Sequence, residues 1–265
     1  MRPPRLLVLA ALLIATLLPM TAGAAVSQEP MALPQAVHVA GLPTVGPLFT
    51  QGIDNPHSCT ASVLRSPGRD LILTAAHCVS GTGAGLLFAP GYDTGRTPYG
   101  VWTSIAAYVD PSWLTNQDPQ HDVAILRLAR INVQGRSVGV QDVVGGGNLM
   151  VGAPPAGRRV MVPAYPAGID DQPVNCATTS YRTGDYPSLD CAGYPGGTSG
   201  APWLIATADP AVSLVVGVIG GLHQGGCLDY TSYSSAFGLD NYRLWLRAAL
   251  RLPADRLPIA GSDGC

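Results

Sequence analysis

The sequence predicts an all-β protein that ends in a single helix. From Val45 onward, short apolar runs alternate with clusters of Gly and Pro, which is typical of the many short strands of a sandwich or barrel. Only residues 241–250 have the spacing of an amphipathic helix. The predicted strands are Thr60–Leu64, Leu71–Thr74, Leu86–Phe88, Ile105–Val109, Val123–Leu128, Arg159–Val162 and Leu214–Ile219.

The N-terminus has the pattern of a secretory signal. Arg2 and Arg5 precede an apolar stretch from Leu6 to Leu18, and Pro19 is followed by several small residues. This apolar stretch is shorter than the roughly 20 residues that a membrane anchor needs, so a cleaved signal peptide over residues 1–25 is favoured over an anchor. We therefore expect a secreted, extracellular protein with no membrane attachment after cleavage. Residues 26–44 are either a propeptide or an N-terminal extension.

Composition excludes several classes of protein. Only 12% of the 265 residues are charged and the formal net charge is −2, which argues against a nucleic-acid partner. The chain has no Lys, so Schiff-base chemistry is impossible, and its only Glu is Glu29, so it has no pair of catalytic glutamates. A general base must therefore be His or Asp, and we expect no cofactor.

Three short stretches carry the residues that could do chemistry. His77 lies in Leu73-Thr74-Ala75-Ala76-His77-Cys78, where small residues leave room around the imidazole ring. Asp122 opens the apolar run that follows His121, and Ser199 lies between glycines in Gly196-Gly197-Thr198-Ser199-Gly200-Ala201-Pro202-Trp203. Each stretch alone is a weak signal. The remaining histidines in the first half of the chain, His38, His57 and His121, are interpreted as ordinary surface or core residues.

The predicted helix, residues 241–250, is followed by a tail. Asp240 is a plausible N-cap and Pro253 a stop signal, and residues 253–265 form a tail that Cys265 could tether. The apolar face is expected to consist of Tyr242, Trp245, Leu246 and Ala249.

The six cysteines predict disulfides, because export leads to an oxidising compartment. Cys59 and Cys78 are close in sequence and lie in a region predicted as two adjacent strands, so we expect a disulfide between them. Cys176–Cys191 and Cys227–Cys265 are favoured for the rest, while Cys191–Cys227 with Cys176–Cys265 stays open. No cysteine or histidine spacing matches a metal site, so none is predicted.

Together the three stretches resemble the chymotrypsin-like serine peptidases, in which His, Asp and Ser occur in this order. The chain reads T-A-A-H-C at 74–78, D-V-A-I-L at 122–126 and G-T-S-G-A-P at 197–202, and the resemblance extends from about Val45 to Leu252. It is greatest to secreted actinobacterial members near the glutamyl endopeptidases. The α/β-hydrolases are disfavoured because their order is Ser, Asp, His.

The resemblance implies a fold and a set of site residues. It implies two antiparallel β-barrels, at roughly 45–135 and 136–240, within a peptidase domain that spans 45–252. Ser199 would be the nucleophile, His77 the base and Asp122 its partner, while the N–H groups of Gly197 and Ser199 would form the oxyanion hole. Gly220, Gly221 and Leu222 would pair with an extended substrate.

The chain departs from the family pattern at several positions. Thr198 replaces the Asp that pairs with a freed N-terminus in animal members, so activation is not expected to use that salt bridge. Gly193 stands where trypsin-like pockets have Asp, although Asp190 is nearby. Ile219 holds the position of the glutamyl endopeptidase His, and His223 beyond it is interpreted as a loop residue in preference to a ligand. A Ser that often supports the catalytic Asp is absent from 220–222.

The sequence therefore predicts a secreted, monomeric serine endopeptidase that acts on polypeptides through an acyl-enzyme. The alternative is a catalytically inactive secreted binding protein on the same scaffold. The complete set of His77, Asp122 and Ser199 favours the enzyme.

Overall fold

The computed structural model describes residues 32–168 and 171–265, and strands predominate in both ranges. The all-β prediction is confirmed, while the predicted signal peptide at 1–25 lies outside the described residues. Leu33–Cys265 forms one compact unit, which contains all the described helices and strands. None of the helices in the described residues has the length and hydropathy needed to cross a bilayer. These helices are α1 (Pro111–Asn116), α2 (Val140–Val144) and α3 (Leu239–Ala249), with 3-10 turns at Ala76–Cys78, Pro119–His121 and Leu222–Gly225.

Six strands in the first half of the unit close into an antiparallel barrel, as predicted. In chain order the strands up to residue 138 are β1 (Val37–His38), β2 (Val45–Phe49), β3 (Cys59–Leu64), β4 (Leu71–Thr74), β5 (Leu87–Phe88), β6 (Trp102–Val109), β7 (Ala124–Leu128), β8 (Ile131–Val133) and β9 (Arg136–Val138). The ring runs β2–β3–β4–β7–β6–β5 and closes through the pairing of β5 with β2. Closure leaves these strands without an exposed edge.

The strands of the barrel are apolar on both faces because each face is buried against a different part of the molecule. Successive side chains of a strand point in opposite directions. Ile72 of β4 packs inside the barrel with Leu126, whereas its neighbours Leu71 and Leu73 share a second cluster with Val215 of the other half. This explains why β4 is an uninterrupted apolar run in the sequence.

The second half is built from two main sheets. Its strands are β10 (Leu149–Met150), β11 (Arg159–Met161), β12 (Val174–Asn175), β13 (Ala177–Thr179), β14 (Tyr181–Thr183), β15 (Tyr186–Asp190), β16 (Pro202–Ala206), β17 (Ser213–Val218) and β18 (Thr231–Tyr233). One sheet has the order β10-β17-β16-β11-β13 and the other β14-β15-β18. In addition, β12 pairs with β1, so part of the predicted segment 26–44 is attached to this half.

The second half differs in detail from the antiparallel barrel that the resemblance implied. Its strands do not form one continuous ring in the described residues, and β10 runs parallel to β17. The chain passes from one sheet to the other at Ser180, between β13 and β14. The Ser180 N–H donates to the carbonyl of Arg158, and its own carbonyl accepts from the N–H of Gly157. These bonds extend the pairing of β13 with β11 by one residue, and β14 then begins at Tyr181 in the other sheet.

Three disulfides are present, and they are the favoured pairs. Cys59–Cys78 joins β3 to the turn that carries His77, and Cys176–Cys191 lies in the core of the second half. Cys227–Cys265 tethers the end of the chain. The alternative pairing of Cys191 with Cys227 is therefore wrong.

The C-terminal helix is confirmed, and two residues of its predicted apolar face, Trp245 and Ala249, pack half-buried on the core, whereas Tyr242 and Leu246 are exposed. α3 begins at Leu239, two residues before the predicted start, and Asp240 lies in its first turn and not at the N-cap. The buried side chains are Leu244 and Ala248, which pack on the shared cluster of the two halves. Tyr242 is exposed and stacks on Trp245 at the surface. The predicted face is therefore displaced from the buried one, which is centred on Leu244 and Ala248.

The tail after α3 runs back over the first barrel. Asp255 accepts from the N–H of Val109 and pairs with Arg247, with 2.8 Å between Arg247 Nη2 and Asp255 Oδ1. Leu257 is buried and forms an antiparallel bridge with Gly81. The tail is therefore anchored to the barrel before it reaches Cys265.

Replacing Ile72 by Ala is expected to lower the free energy of unfolding by about 2–5 kcal/mol, because it leaves a cavity inside the closed barrel. The matched control is Ile131→Ala on the exposed β8–β9 hairpin, with an expected change below about 0.5 kcal/mol. Urea titration followed by circular dichroism measures both. Equal losses would contradict the burial of Ile72 inside the barrel.

Candidate active site

His77 and Asp122 lie at the same end of two paired strands. Thr74, the last residue of β4, pairs with Ala124, the first residue of β7. His77 follows β4 in a 3-10 turn, and Asp122 precedes β7 directly after another. The Nδ1 atom of His77 lies 2.7 Å from Asp122 Oδ2, and the His77 N–H donates to Oδ1 at 2.9 Å. The barrel thus sets the distance between these side chains.

The carboxylate of Asp122 is fully buried, so it needs several hydrogen-bond donors to offset the loss of water. A third donor comes from the second half of the molecule, where the N–H of Gly221 donates to Oδ2 at 2.8 Å. The sequence lacks the Ser expected to support this Asp, and a backbone N–H supplies the bond instead. Gly220 also approaches closely, since a Cβ there would lie 3.1 Å from Oδ2.

These contacts determine the tautomer of His77. An ionised carboxylate only accepts hydrogen bonds, so the proton between Asp122 and His77 belongs to Nδ1. The Nε2 atom of a neutral ring is then left as an acceptor. The ring is mostly buried, with 9% of the side chain exposed. It can accept one proton from a neighbouring group.

Ser199 lies in the turn before β16. This turn packs on the first barrel, beside the residues that precede His77. The carbonyl of Ser199 accepts from the N–H of Thr60 at 2.7 Å. Gly200 has φ of +81°, and a Cβ there would lie 2.2 Å from Thr74 Oγ1 and 3.0 Å from the nitrogen of Ala75. Glycine is therefore required at 200, and the docking brings Ser199 to the end of the barrel where His77 and Asp122 lie.

Gly197 and Ser199 present two free N–H groups in this turn. Neither group donates to an acceptor among the described residues. Gly197 has φ of +91°, and a Cβ there would lie 2.3 Å from the nitrogen of Ala167. The Ala167 N–H donates to the carbonyl of Gly196, and Thr60 Oγ1 donates to that of Gly197. The turn is thus held from the outside while its amide hydrogens stay available to a ligand.

Thr198 stands at the position of the Asp that, in animal members of the family, forms a salt bridge with a freed N-terminus. Its side chain is buried, and Oγ1 donates to the carbonyl of Pro195 at 2.7 Å. The turn is therefore closed by its own hydroxyl group. Sequence reasoning missed the contribution of Ala167, because an alanine between Pro166 and Gly168 carries no chemical signal.

Residues 59–212 match the family model described as a trypsin-like peptidase domain, and this match spans more than half of the chain. The chain belongs to the trypsin-like peptidase family. It is a serine-type peptidase, and the predicted resemblance to chymotrypsin-like enzymes is confirmed.

Solved structures of bacterial serine proteases are similar to this trypsin-like peptidase over most of its length. Protease Anisep from Arthrobacter nicotinovorans is 25% identical, with a TM-score of 0.65 over 80% of this chain and 98% of that one. The thermostable serine protease AL20 from an extremophilic microorganism is 24% identical, with a TM-score of 0.64 over 79% and 98%. A Glu endopeptidase shares the fold at 17% identity, with a TM-score of 0.59 over 82% and 97%. No curated protein sequence matches the chain.

A cavity of about 100 Å³ adjoins Ser199, between segments 194–199 and 224–232, and is called the primary cavity below. Ile219 forms part of its wall, at the position where a His would be expected in a glutamyl endopeptidase. His223 does not line it; the ring donates from Nδ1 to the carbonyl of Asp263, 3.0 Å away. Among the described lining residues none is basic, so this trypsin-like peptidase has no evident partner there for an acidic side chain.

Asp190 is not at the base of the primary cavity either. Its Oδ1 accepts from the hydroxyl of Tyr181 at 2.9 Å and from Thr231 Oγ1 at 2.8 Å. Burial, together with the hydrogen bond and charge of Asp190, raises the pKa of Tyr181 to about 12. Asp190 thus has a structural role in the second half.

The segment Gly220-Gly221-Leu222 does not continue the strand that the sequence predicted there. β17 ends at Val218, and Leu222 begins the 3-10 turn. The Gly221 N–H donates to Asp122 and its carbonyl accepts from the N–H of Gln224, while the Gly220 N–H donates to Tyr233. Of the backbone groups of the two glycines, only the Gly220 carbonyl has no partner among the described residues.

The other histidines have structural partners or lie at the surface. His57 is buried, with Nε2 2.8 Å from Asp171 Oδ2, His121 pairs with Asp118, and His38 is exposed in β1. Two groups of potential metal ligands occur in the described residues, but every cysteine in them is part of a disulfide. These groups contain no thiolate that could bind a metal.

Asp190→Asn is expected to lower the pKa of Tyr181 from about 12 toward its ordinary value near 10, because the amide removes the negative charge beside the phenol. Ultraviolet titration, with Tyr181→Phe to assign the signal, measures this shift. The relative kcat/KM for Arg and Ala peptides is expected to stay unchanged. A selective loss of Arg cleavage would place Asp190 in the substrate pocket and contradict this assignment.

Proposed function

We propose that the protein is a secreted serine endopeptidase with His77, Asp122 and Ser199 as its catalytic residues. The observation that carries the proposal is the buried Asp122 carboxylate, which orients His77 at 2.7 Å beside the turn that holds Ser199. The two free N–H groups of Gly197 and Ser199 in the same turn add to it. The family supports polypeptides as the substrates.

In the proposed reaction, Ser199 Oγ attacks the carbonyl carbon of a peptide bond while His77 Nε2 takes its proton. The carbonyl oxygen becomes an oxyanion, which the N–H groups of Gly197 and Ser199 stabilise. Asp122 keeps the proton of the ring on Nδ1 and stabilises the imidazolium. The C–N bond then breaks as His77 gives its proton to the leaving amine, and an ester remains on Ser199. Water activated by His77 hydrolyses that ester.

This active form would not depend on a freed N-terminus. Thr198 closes the turn through Pro195, and Ala167 and Thr60 hold it from outside, so no acidic residue is needed at position 198. Residues 34–38 pair instead with the second half, where the Ala36 N–H donates to the carbonyl of Ala192. We assign residues 1–25 to a signal peptide, 26–44 to an N-terminal extension and 45–252 to the peptidase domain of a monomer. Three disulfides are consistent with export.

A fluorophosphonate probe is expected to label the oxidised, folded protein at Ser199, because the probe captures a serine that is activated by a neighbouring base. Ser199→Ala is expected to abolish both labelling and casein cleavage, whereas the exposed Ser80→Ala is expected to preserve them. Mass spectrometry of the labelled peptide locates the adduct. A folded protein that stays unlabelled would contradict the proposal and favour the inactive binding protein.

Gly197→Ala is expected to lower kcat/KM by about 10²–10³, because the added Cβ collides with the backbone of Ala167 and displaces one oxyanion donor. Gly184→Ala is the matched control. It also replaces a glycine of positive φ, but its Cβ meets no atom within 4 Å. Steady-state cleavage of a peptide substrate compares the two. Equal losses would show that the collision at 197 has no catalytic effect.

A further inference from the structure

A second and larger cavity, of about 460 Å³, lies next to the primary cavity and is called the tail cavity below. Its walls are the end of α1 at 113–117, the turn that contains Gly221 and Gln224, and the C-terminal tail at 258–263. Gln224 also lines the primary cavity, and Gly221 donates to Asp122. The tail therefore borders a cavity that shares Gln224 with the primary cavity and Gly221 with the surroundings of Asp122.

Two glutamine side chains hold the tail through hydrogen bonds to its backbone N–H and C=O groups. Gln117 Nε2 donates to the carbonyl of Ile259 at 3.0 Å, and its Oε1 accepts from the N–H of Gly261 at 2.7 Å. Gln224 Nε2 donates to the carbonyl of Gly261 at 2.8 Å. Both backbone groups of Gly261 are thus bonded to side-chain amides that line the cavity.

The tail is fixed at both ends of this segment. Leu257 is buried against the first barrel and bridges to Gly81, and Cys265 is bonded to Cys227. His223 adds a hydrogen bond to the carbonyl of Asp263. Between these anchors, Ile259 has 82% of its surface exposed, so the segment is held by its backbone and its tether and not by an apolar core.

A peptide bound at the active site would run toward the C-terminal tail. If the proposed function holds, the residue before the scissile bond occupies the primary cavity and donates to the free Gly220 carbonyl. The residues that precede it must then pass Gly221 and Gln224 into the tail cavity. The 3-10 turn at Leu222–Gly225 offers no strand edge beyond that point.

We propose that the C-terminal tail is a specificity-determining wall of the substrate site. It closes the tail cavity after the first few residues on the amino side of the scissile bond. Gln117 and Gln224 position this wall, and longer peptides gain no further contacts because the tail already bonds to both amides. The inference rests on the proposed function.

The test compares peptides with two or five residues before the scissile bond. A variant that ends at Pro258 and carries Cys227→Ser keeps the Leu257 anchor but removes the wall. The ratio of kcat/KM for the long peptide to that for the short peptide is expected to rise about tenfold, because the added residues can then bind to Gln117 and Gln224. The control Cys227→Ser/Cys265→Ser keeps the full tail without its tether and is expected to show an intermediate ratio.

A point variant covers the case in which the shortened chain does not fold. Gln117→Ala removes two of the tail bonds and leaves only Gln224 for a longer peptide, so it is expected to raise the same ratio about threefold, less than the shortened chain does. Gln134→Ala is its matched control, since Gln134 has a similar positive φ but lies exposed on the β8–β9 hairpin.

The outcomes separate this inference from the proposed function. If fluorophosphonate labels the wild-type protein but the length ratio stays the same in the shortened and Gln117 variants, the wall is overturned while the catalytic assignment stands. If the wild-type protein is not labelled at all, the proposed function fails, and the wall fails with it. A rise in the ratio for both variants, with labelling intact and no change in Gln134→Ala, supports the wall.

Discussion

The buried carboxylate of Asp122 receives three hydrogen bonds that come from both halves of the molecule. Two are donated by His77 of the first barrel and one by Gly221 of the second half. A charge without exposure to water is tolerated only when such donors surround it. The arrangement therefore requires that the halves be docked, and the proposed chemistry depends on that docking. Oriented by these bonds, the ring of His77 presents Nε2 as its free acceptor.

Docking is possible because the residues at the junction are small. Gly200 approaches Thr74 and Ala75, and Gly220 lies against Asp122 and Ala75. Behind this contact, an apolar cluster joins strands of the barrel to β16, β17 and α3. The barrel side chains that point outward thus form the apolar interface between the two halves. Tight backbone contacts at the edge and apolar packing behind it place the three proposed catalytic residues on one rim.

The sequence predicts the parts of the fold and site that rest on local patterns. Apolar runs indicated the barrel strands, and the stretches around His77, Asp122 and Ser199 indicated the site. The rest depends on contacts between distant residues. The bond from Gly221 to Asp122 replaces a side chain by a backbone group, which has no sequence signature. The predicted apolar face of α3 fails at Tyr242 and Leu246, which are exposed, and the tail reaches Gln117 only through the folded barrel.

The rate of fluorophosphonate capture by Asp122→Asn tests the central claim most directly. Asparagine would turn an N–H₂ group toward two donors, or else force His77 into the tautomer that carries its proton on Nε2. That tautomer cannot accept the proton of Ser199. The expected result is a loss of about 10⁴-fold in the rate of labelling with the fold retained by circular dichroism. Labelling of a folded Asp122→Asn protein at the wild-type rate would contradict the account.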